Sequence, residues 1–238
     1  MTIELELPKD INSIKLQDWM KFSKLAEANK DAENDFLDIK LLEIFAGLKY
    51  KDIQGLPVGT FDDALRYLSV VFQSKTPLTR RFFMTGSDGA VREFGFIPNL
   101  DKMTMGEYID LNNYFESSQD IHKAMAVLFR PIHESYEDKG TYRIDSYKSA
   151  ELYCDIMKEM PLGIALGAKV FFYRLGIKLS KAILNSTPEL KEQVEDKLSE
   201  EEKSNLTKNI HGIKSFMLLQ EEMLLKSQTP LKYLYTKQ

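Results

Sequence analysis

The residues that could carry out metal or nucleophilic chemistry are few and lie far apart in this sequence. The three histidines, His122, His133 and His211, fall in different predicted elements, with no Cys, Asp or Glu at metal-ligand spacing around them. The single cysteine, Cys154, lies in an amphipathic helical run, where a thiol usually packs as a small hydrophobic side chain. The sequence therefore predicts no metal site and no catalytic cysteine.

Two short motifs have the residue types of an active-site loop but not its context. Ser87 stands between Gly86 and Gly89 in a predicted hairpin loop, whereas the nucleophile of a hydrolase elbow sits on a strand-to-helix turn. Gly163 and Gly167 lie inside a helical run. Glycines that bind phosphate instead precede a helix, where the backbone N–H groups are available to the phosphate. We interpret Ser87 as a turn residue and the two helical glycines as a small-residue face that allows close helix packing.

Carboxylates are abundant, but nothing in their spacing brings two of them into one cleft. Asp18 and Glu107 each lie in the predicted first turn of a helix, where a negative charge complements the helix dipole. Paired-carboxylate catalysis needs two carboxyl groups that share a site and differ in environment. We predict no catalytic residue, no cofactor and no small-molecule substrate, and expect that the protein is not an enzyme. An enzyme whose site is built from scattered polar residues is the least favoured alternative.

Composition and charge exclude several further classes of protein. The 238 residues are 43% hydrophobic and 29% charged, which is typical of a globular protein, and the net charge is -4. An acidic chain of this kind lacks the basic footprint of sequence-specific nucleic-acid binding. The most apolar stretch, residues 163–177, carries two cations and is too short to cross a bilayer as a helix, and the N-terminus lacks the features of a signal peptide. We therefore expect no membrane insertion.

Two stretches of the sequence follow the same apolar plan. At an offset of 89 residues, six pairs of positions match in residue class and size. These pairs are Ile11 and Leu100, Ile14 and Met103, Leu16 and Met105, Asp18 and Glu107, Trp19 and Tyr108, and Phe22 and Leu111. Further along, Leu56-Pro57-Val58-Gly59 and Met160-Pro161-Leu162-Gly163 each open a helical run with proline at a favourable first position. The pattern predicts an internal duplication of a strand-helix-helix-helix unit, with chance agreement of short apolar patterns as the alternative.

The predicted elements are mainly helices. Two β-favouring runs at residues 81–85 and 91–97 flank a glycine-containing loop and predict a hairpin, and residues 3–7 and 141–145 predict two further short strands. Helices are predicted at residues 16–28, 34–47, 61–74, 105–115, 118–130, 146–158, 161–184, 188–197 and 200–227. The predicted fold class is mainly α with a small antiparallel β element, an α+β fold.

The same pattern divides the chain into four parts. They are a first repeat half (1–76), a β-hairpin connector (77–98), a second repeat half (92–184) and a helical C-terminal extension with an apolar tail (185–238). Thr187 and Pro188 look like the start of a helix in the extension. Its broad apolar stripe must be buried, either on the protein's own body or on a neighbouring subunit. We predict an interface at aromatic and apolar residues of the connector and the tail: Phe82, Phe83, Phe94, Phe96, Leu231, Tyr233, Leu234 and Tyr235.

One resemblance to a known family is visible in the sequence. Residues 94–111 and 121–132, together with 16–22 and 38–48, resemble a small protein of tailed bacteriophages of the crAss-like gut group. The resemblance covers roughly residues 1–184 and rests on folding motifs, so it carries over no functional residue. It implies a non-enzymatic virion protein that forms a homo-oligomeric ring at the head-tail junction or in the tail barrel. The implied partners are further copies of itself and the portal protein or other tail ring proteins. The implied location is the virion, after synthesis in the cytoplasm of the bacterial host.

A tail assembly chaperone or a packaged cargo protein is the alternative from a different class. It would use an adaptable surface rich in methionine beside the acidic stretch at residues 189–202. The methionines in question are Met103, Met105, Met157, Met160, Met217 and Met223. Ordinary core filling is the simpler interpretation of these side chains.

Overall fold

Helices make up most of the part of the chain that the structure, a computed structural model, describes, namely residues 5–29, 34–86, 88–136, 141–194 and 221. The helices are α1 (Leu16–Ala28), α2 (Asn34–Phe45), α3 (Tyr50–Gln54), α4 (Val58–Phe72), α5 (Met105–Phe115), α6 (Ile121–Leu128), α7 (Cys154–Met157) and α8 (Leu162–Val194). The strands are β1 (Arg81–Thr85), β2 (Val91–Phe96), β3 (Phe129–Tyr136) and β4 (Thr141–Ile144). The predicted class, mainly α with a small antiparallel sheet, is confirmed.

The four strands form one antiparallel sheet in the order β1-β2-β3-β4. The predicted hairpin is β1 with β2, in which Phe82 lies opposite Phe94. The ring of Phe129 on β3 packs against Phe82 at 5.1 Å and against Phe96 at 5.3 Å between ring centroids. These four aromatic side chains are buried, and they form the core on one face of the sheet.

Strand β3 corrects a sequence-based prediction. The apolar spacing predicts a helix up to residue 130, but α6 ends at Leu128 and the chain continues directly into β3. Proline removes a donor from the sheet but keeps its acceptor, and the Pro131 carbonyl accepts a hydrogen bond from the backbone N–H of Asp145 at 3.0 Å. Pairing with β2 and β4 therefore decides the conformation here, over the local helical pattern.

Three more predictions about elements are wrong. Of the strand predicted at residues 3–7, residues 5–7 form no strand, because no strand of the described chain pairs with them, and residues 3 and 4 lie outside the described residues. The helix predicted at 146–158 is replaced by a 3₁₀ turn at Ala150–Leu152 and the short α7. Helix α8 continues through Thr187 and Pro188 to Val194 instead of restarting there. The proline removes one backbone hydrogen bond, and the helix runs on at both sides of it. The helix predicted at 200–227 lies outside the described residues except for its position 221.

The helical core of the first half is built around aromatic side chains. The ring of Phe45 on α2 lies 5.7 Å from that of Phe22 on α1 and 5.0 Å from that of Phe72 on α4. All three rings are buried, as is Trp19 on α1. Edge-on contacts of this kind fix the three helices against one another.

Elements of the two predicted halves begin at matching offsets. The 3₁₀ turns at Ile11–Ser13 and Leu100–Lys102 and the helices α1 and α5 begin 89 positions apart. Helices α3 and α7, and then α4 and α8, begin 104 positions apart. The β3–β4 hairpin lies between the two sets in the second half and accounts for the larger offset. These boundaries support the duplication, which stays a prediction.

The described residues divide into two compact units, and the division falls after Ala168, inside α8. Everything discussed so far, apart from the later part of α8, belongs to the first unit. In the second unit, the Lys169 ammonium lies 5.8 Å over the ring of Tyr173, and Lys181 forms an ion pair with Glu221 at 3.6 Å.

Candidate interaction surface

The first turn of α5 is held by a capping box. Thr104 is the N-cap, and its hydroxyl accepts a hydrogen bond from the backbone N–H of Glu107 at 3.2 Å. The Glu107 carboxylate in turn accepts from the backbone N–H of Thr104 at 2.7 Å. The spacing of threonine and glutamate is the sequence signature of this motif, and it fixes where α5 begins.

A buried ion pair joins this turn to the sheet. Arg130 on β3 donates from Nη1 to the Glu107 carboxylate at 2.6 Å, and the side chains are only 7% and 5% exposed. Burial on its own raises the pKa of Glu107, but the hydrogen bonds from Thr104 and Arg130 outweigh it and hold that pKa below its usual value. A carboxylate kept ionised in this way is a poor proton acceptor. We therefore interpret the pair as a device that positions α5.

Tyrosine–carboxylate hydrogen bonds surround the ion pair. The Arg130 guanidinium lies 5.6 Å over the ring of Tyr147, whose hydroxyl donates to Asp110 on α5. The Tyr153 hydroxyl donates to Asp145 at 2.7 Å, and burial together with this carboxylate raises the pKa of Tyr153 to about 12. Both hydroxyl groups therefore stay protonated at neutral pH. The network ties α5, β3 and the segment after β4 together.

The anchored helix presents an apolar surface to solvent, which we call the α5 face and define as Met105, Tyr108 and Ile109. Met105 is 71% exposed, and Tyr108 and Ile109 are exposed as well. A second exposed apolar segment, the α4 start, comprises residues 56–59, and its Val58 is 76% exposed. Exposed apolar side chains that cluster at helix starts are candidates for protein contacts.

The equivalent positions elsewhere in the chain are covered by a contact that we call the closing contact. It joins residues 11–17 to residues 158–163, both in the first unit. Its backbone hydrogen bonds run from Leu16 N–H to the Met160 carbonyl at 2.9 Å and from Leu162 N–H to the Ile14 carbonyl at 2.8 Å. As a result, Leu16 and Leu162 are 0% exposed, whereas Met105 and Val58 at the matching offsets of 89 and 104 are open to solvent.

The residues that the sequence predicts as an interface lie in different environments. Phe82, Phe94 and Phe96 lie in the protein's own core, because their strand faces pack against β3, and so they are not on the exposed surface. Phe83 points from the opposite face of β1, is 68% exposed, and stays a predicted interface residue. The four residues of the tail, Leu231, Tyr233, Leu234 and Tyr235, lie outside the described residues.

Other residues that the sequence analysis considered are placed in the interior. Cys154 is buried and burial raises the pKa of its thiol, and Met157 and Met160 are completely buried, while Met103 is half-buried. The close-packing role of Gly167 is confirmed, because a Cβ there would lie 2.5 Å from the Pro77 carbonyl oxygen. Met217, Met223 and the part of the acidic stretch beyond residue 194 lie outside the described residues.

Two kinds of site are absent from the described part of the chain, a metal cluster and a membrane-spanning helix. No group of three or more His, Cys, Asp or Glu side chains there could hold a metal ion. No helix there is long and apolar enough to span a bilayer.

Sequence reasoning missed the role of Arg130 and did not identify the α5 face. Nothing in the sequence pairs Arg130 with a residue 23 positions away, although the Thr104–Glu107 spacing is a usable signal for the turn to which Arg130 binds.

Comparison of the chain with protein-family models, with curated proteins and with solved structures found no match.

Proposed function

We propose that this protein is a non-enzymatic structural component of a tailed-phage virion, a ring-forming protein of the head-tail junction or tail barrel that acts as a homo-oligomer. The assignment to a phage rests on the resemblance of residues 1–184 described above. The observation that supports self-association most is the exposed α5 face, because the residues at matching positions in the first half are buried by a protein contact.

Burial of such a face favours association. Removing one fully exposed large apolar side chain from water contributes about 1.5–3 kcal/mol, and the α5 face and the α4 start together offer several that are wholly or partly exposed. An interface between two different surfaces of the same protein is heterologous, and repeating it around an axis closes a ring. A ring protein of this kind works by shape and needs no reactive group.

The alternative, a tail assembly chaperone or packaged cargo protein, has less support. It requires a flexible methionine-rich surface, yet Met157 and Met160 lie in the core and only Met105 of the four described methionines in that set is exposed. The face that remains is small and is fixed by the Glu107–Arg130 pair.

The test is the protein's presence and copy number in particles. Mass spectrometry of purified virions from the phage that encodes the chain should find it in a fixed ratio to the portal protein. Cryo-electron microscopy of the same particles should place symmetric copies at the head-tail junction or in the tail. Absence from the particle would overturn the proposal and favour a chaperone, whereas asymmetric copies inside the capsid would overturn it in favour of cargo.

A further inference from the structure

We propose that the α5 face of one copy binds the α4 start of a second copy, repeating between two copies the closing contact that each chain already makes within itself. The inference rests on the proposed self-association and on the predicted duplication, but not on the phage assignment, and it identifies the surfaces that meet. The occupant is a second copy of this chain.

The closing contact shows how two helix starts of this chain bind each other. Lys15 and Pro161 form an antiparallel bridge, and each of the two helices that follow, α1 and α8, donates the N–H of its first residue to a carbonyl of the other segment. A helix cannot satisfy its first N–H groups internally, so this exchange supplies partners to two helix starts at once. The segments match closely enough for the exchange because both are extended just before a helix begins.

The second pair of helix starts has the same construction without the contact. Met105 and Val58 are the first residues of α5 and α4, at the positions of Leu16 and Leu162. Neither backbone N–H has an acceptor among the described residues. Because both starts are exposed in the folded chain, one copy does not make this contact with itself, and two copies can make it with each other.

A glycine marks the surface at which such a contact would close. In the closing contact, a Cβ at Gly163 would lie 2.9 Å from Cγ2 of Ile11 and also meet the side chain of Asn12. Gly59 occupies the matching position of α4, and a Cβ there would meet nothing within 4 Å. The side chains that correspond to Ile11 and Asn12 are Leu100 and Asp101, and Gly59 leaves room for them.

Charge favours the same pairing. In the proposed contact the exposed carboxylate of Asp101 faces the first turn of α4, where Gly59 lies. The N-terminus of a helix carries a positive partial charge that stabilises a nearby carboxylate. Val58 and Met105 supply the apolar part of the contact, next to the half-buried Leu56 and Met103.

The two surfaces differ, so each copy binds one neighbour through its α5 face and the other neighbour through its α4 start. Such a contact is heterologous and propagates head to tail, as a ring requires. A two-fold dimer would instead place the α5 faces of two copies against each other.

Disulfide trapping between separately prepared variants tests the contact. In the closing contact Leu16 is opposite Met160, so in the proposed contact Met105 is opposite Leu56. Leu16 and Met160 are adjacent to the bridged pair Lys15 and Pro161, and opposite residues of antiparallel segments lie about 4.5–5.5 Å apart between Cα atoms, within the range of a disulfide. All variants carry Cys154→Ala, which removes the one native thiol. Met105→Cys is mixed with Leu56→Cys under mild oxidation, and Met105→Cys with Val70→Cys is the control, because Val70 is exposed near the far end of α4.

The expected result is at least tenfold more mixed disulfide between Met105→Cys and Leu56→Cys than in the control mixture, measured by mass spectrometry of the linked peptides. Equal yields would overturn the contact, and so would a predominant Met105→Cys homodimer, which indicates a two-fold arrangement. An α5 face covered instead by residues beyond 194 or by a different protein would also give no excess. If the wild-type chain forms rings in virions but gives no excess, the contact is wrong and the proposed function stands. If the chain gives the excess but is absent from virions, the contact stands and the proposed function is wrong.

Discussion

Arg130 and Glu107, 23 positions apart in the sequence, form an ion pair of 2.6 Å that is almost completely buried. The pair joins β3 to the first turn of α5, the turn that also begins the exposed α5 face. A buried pair of this kind adds little compared with a well-packed apolar pair, but the loss of one partner leaves a charge buried without compensation. The pair therefore makes the position of α5 sensitive to single substitutions.

We expect Arg130→Met to lower the free energy of unfolding by about 3–5 kcal/mol, because Glu107 is then buried without a counter-charge. Urea denaturation followed by circular dichroism measures the change. The double variant Arg130→Met/Glu107→Gln should recover part of the loss, since no unpaired charge remains. Arg66→Met is the control, because its ion pair with Asp63 is exposed and such pairs contribute little. Equal effects of Arg130→Met and Arg66→Met would contradict the anchoring role.

The stability of the protein should fall as the pH decreases from about 7 to 5 because of His122. Burial is the main cause that lowers the pKa of His122 below its ordinary value of 6.5. The unfolded chain therefore takes up a proton at a higher pH than the folded chain, and acidification favours unfolding until the folded pKa is reached. His122→Leu should flatten this dependence, whatever its effect on absolute stability. Urea unfolding at several pH values compares His122→Leu with the wild-type protein, and the same slope in both would contradict the role of His122.

Gly167→Ala should lower the free energy of unfolding by about 1–3 kcal/mol, because the new methyl group meets backbone at Thr76 and Pro77. Backbone atoms cannot move aside as a side chain can. Gly59→Ala is the matched control, since nothing lies within 4 Å of its Cβ and alanine favours a helix. It should leave stability unchanged or raise it, while weakening self-association. Thermal unfolding that ranks the two variants in the opposite order would show that the packing around Gly167 is described wrongly.

Val58→Arg should weaken self-association at least tenfold, because an arginine on the α4 start must lose its hydration where Met103 and Met105 of the next copy approach. At concentrations where the wild-type chain is monomeric, the melting temperature should not change, since Val58 is exposed in one copy. Val70→Arg makes the same change at an exposed position of the same helix and should leave self-association intact. Sedimentation velocity compares the two variants with the wild-type protein. A larger effect at Val70 would locate the contact elsewhere.

The sequence predicted those elements whose signals are local. The predicted bounds of α1 and α5 agree with the structure, because apolar spacing marks these helices locally. The sequence does not predict strand β3, because its conformation comes from pairing with β2 and β4. The residues around Pro131 carry no local signal for that pairing. The pair of Arg130 with Glu107 depends on the same long-range pairing.

The candidate surface shows a second limit of sequence reasoning. Leu16 and Met105 are equivalent apolar residues in the sequence, yet one is buried and the other exposed. The difference arises because residues 158–163 cover Leu16 and not Met105. The type of a residue does not show which of two repeated surfaces in the chain is covered.

The mass of the 238-residue wild-type chain in solution, measured by light scattering over a range of concentrations, tests self-association most directly. We predict an oligomer whose mass is a whole-number multiple of 27.5 kDa, at least twice that value. The oligomer should be lost in Val58→Arg but not in Val70→Arg. A mass that stays at 27.5 kDa at every concentration, with and without the portal and neighbouring tail proteins, would contradict the account.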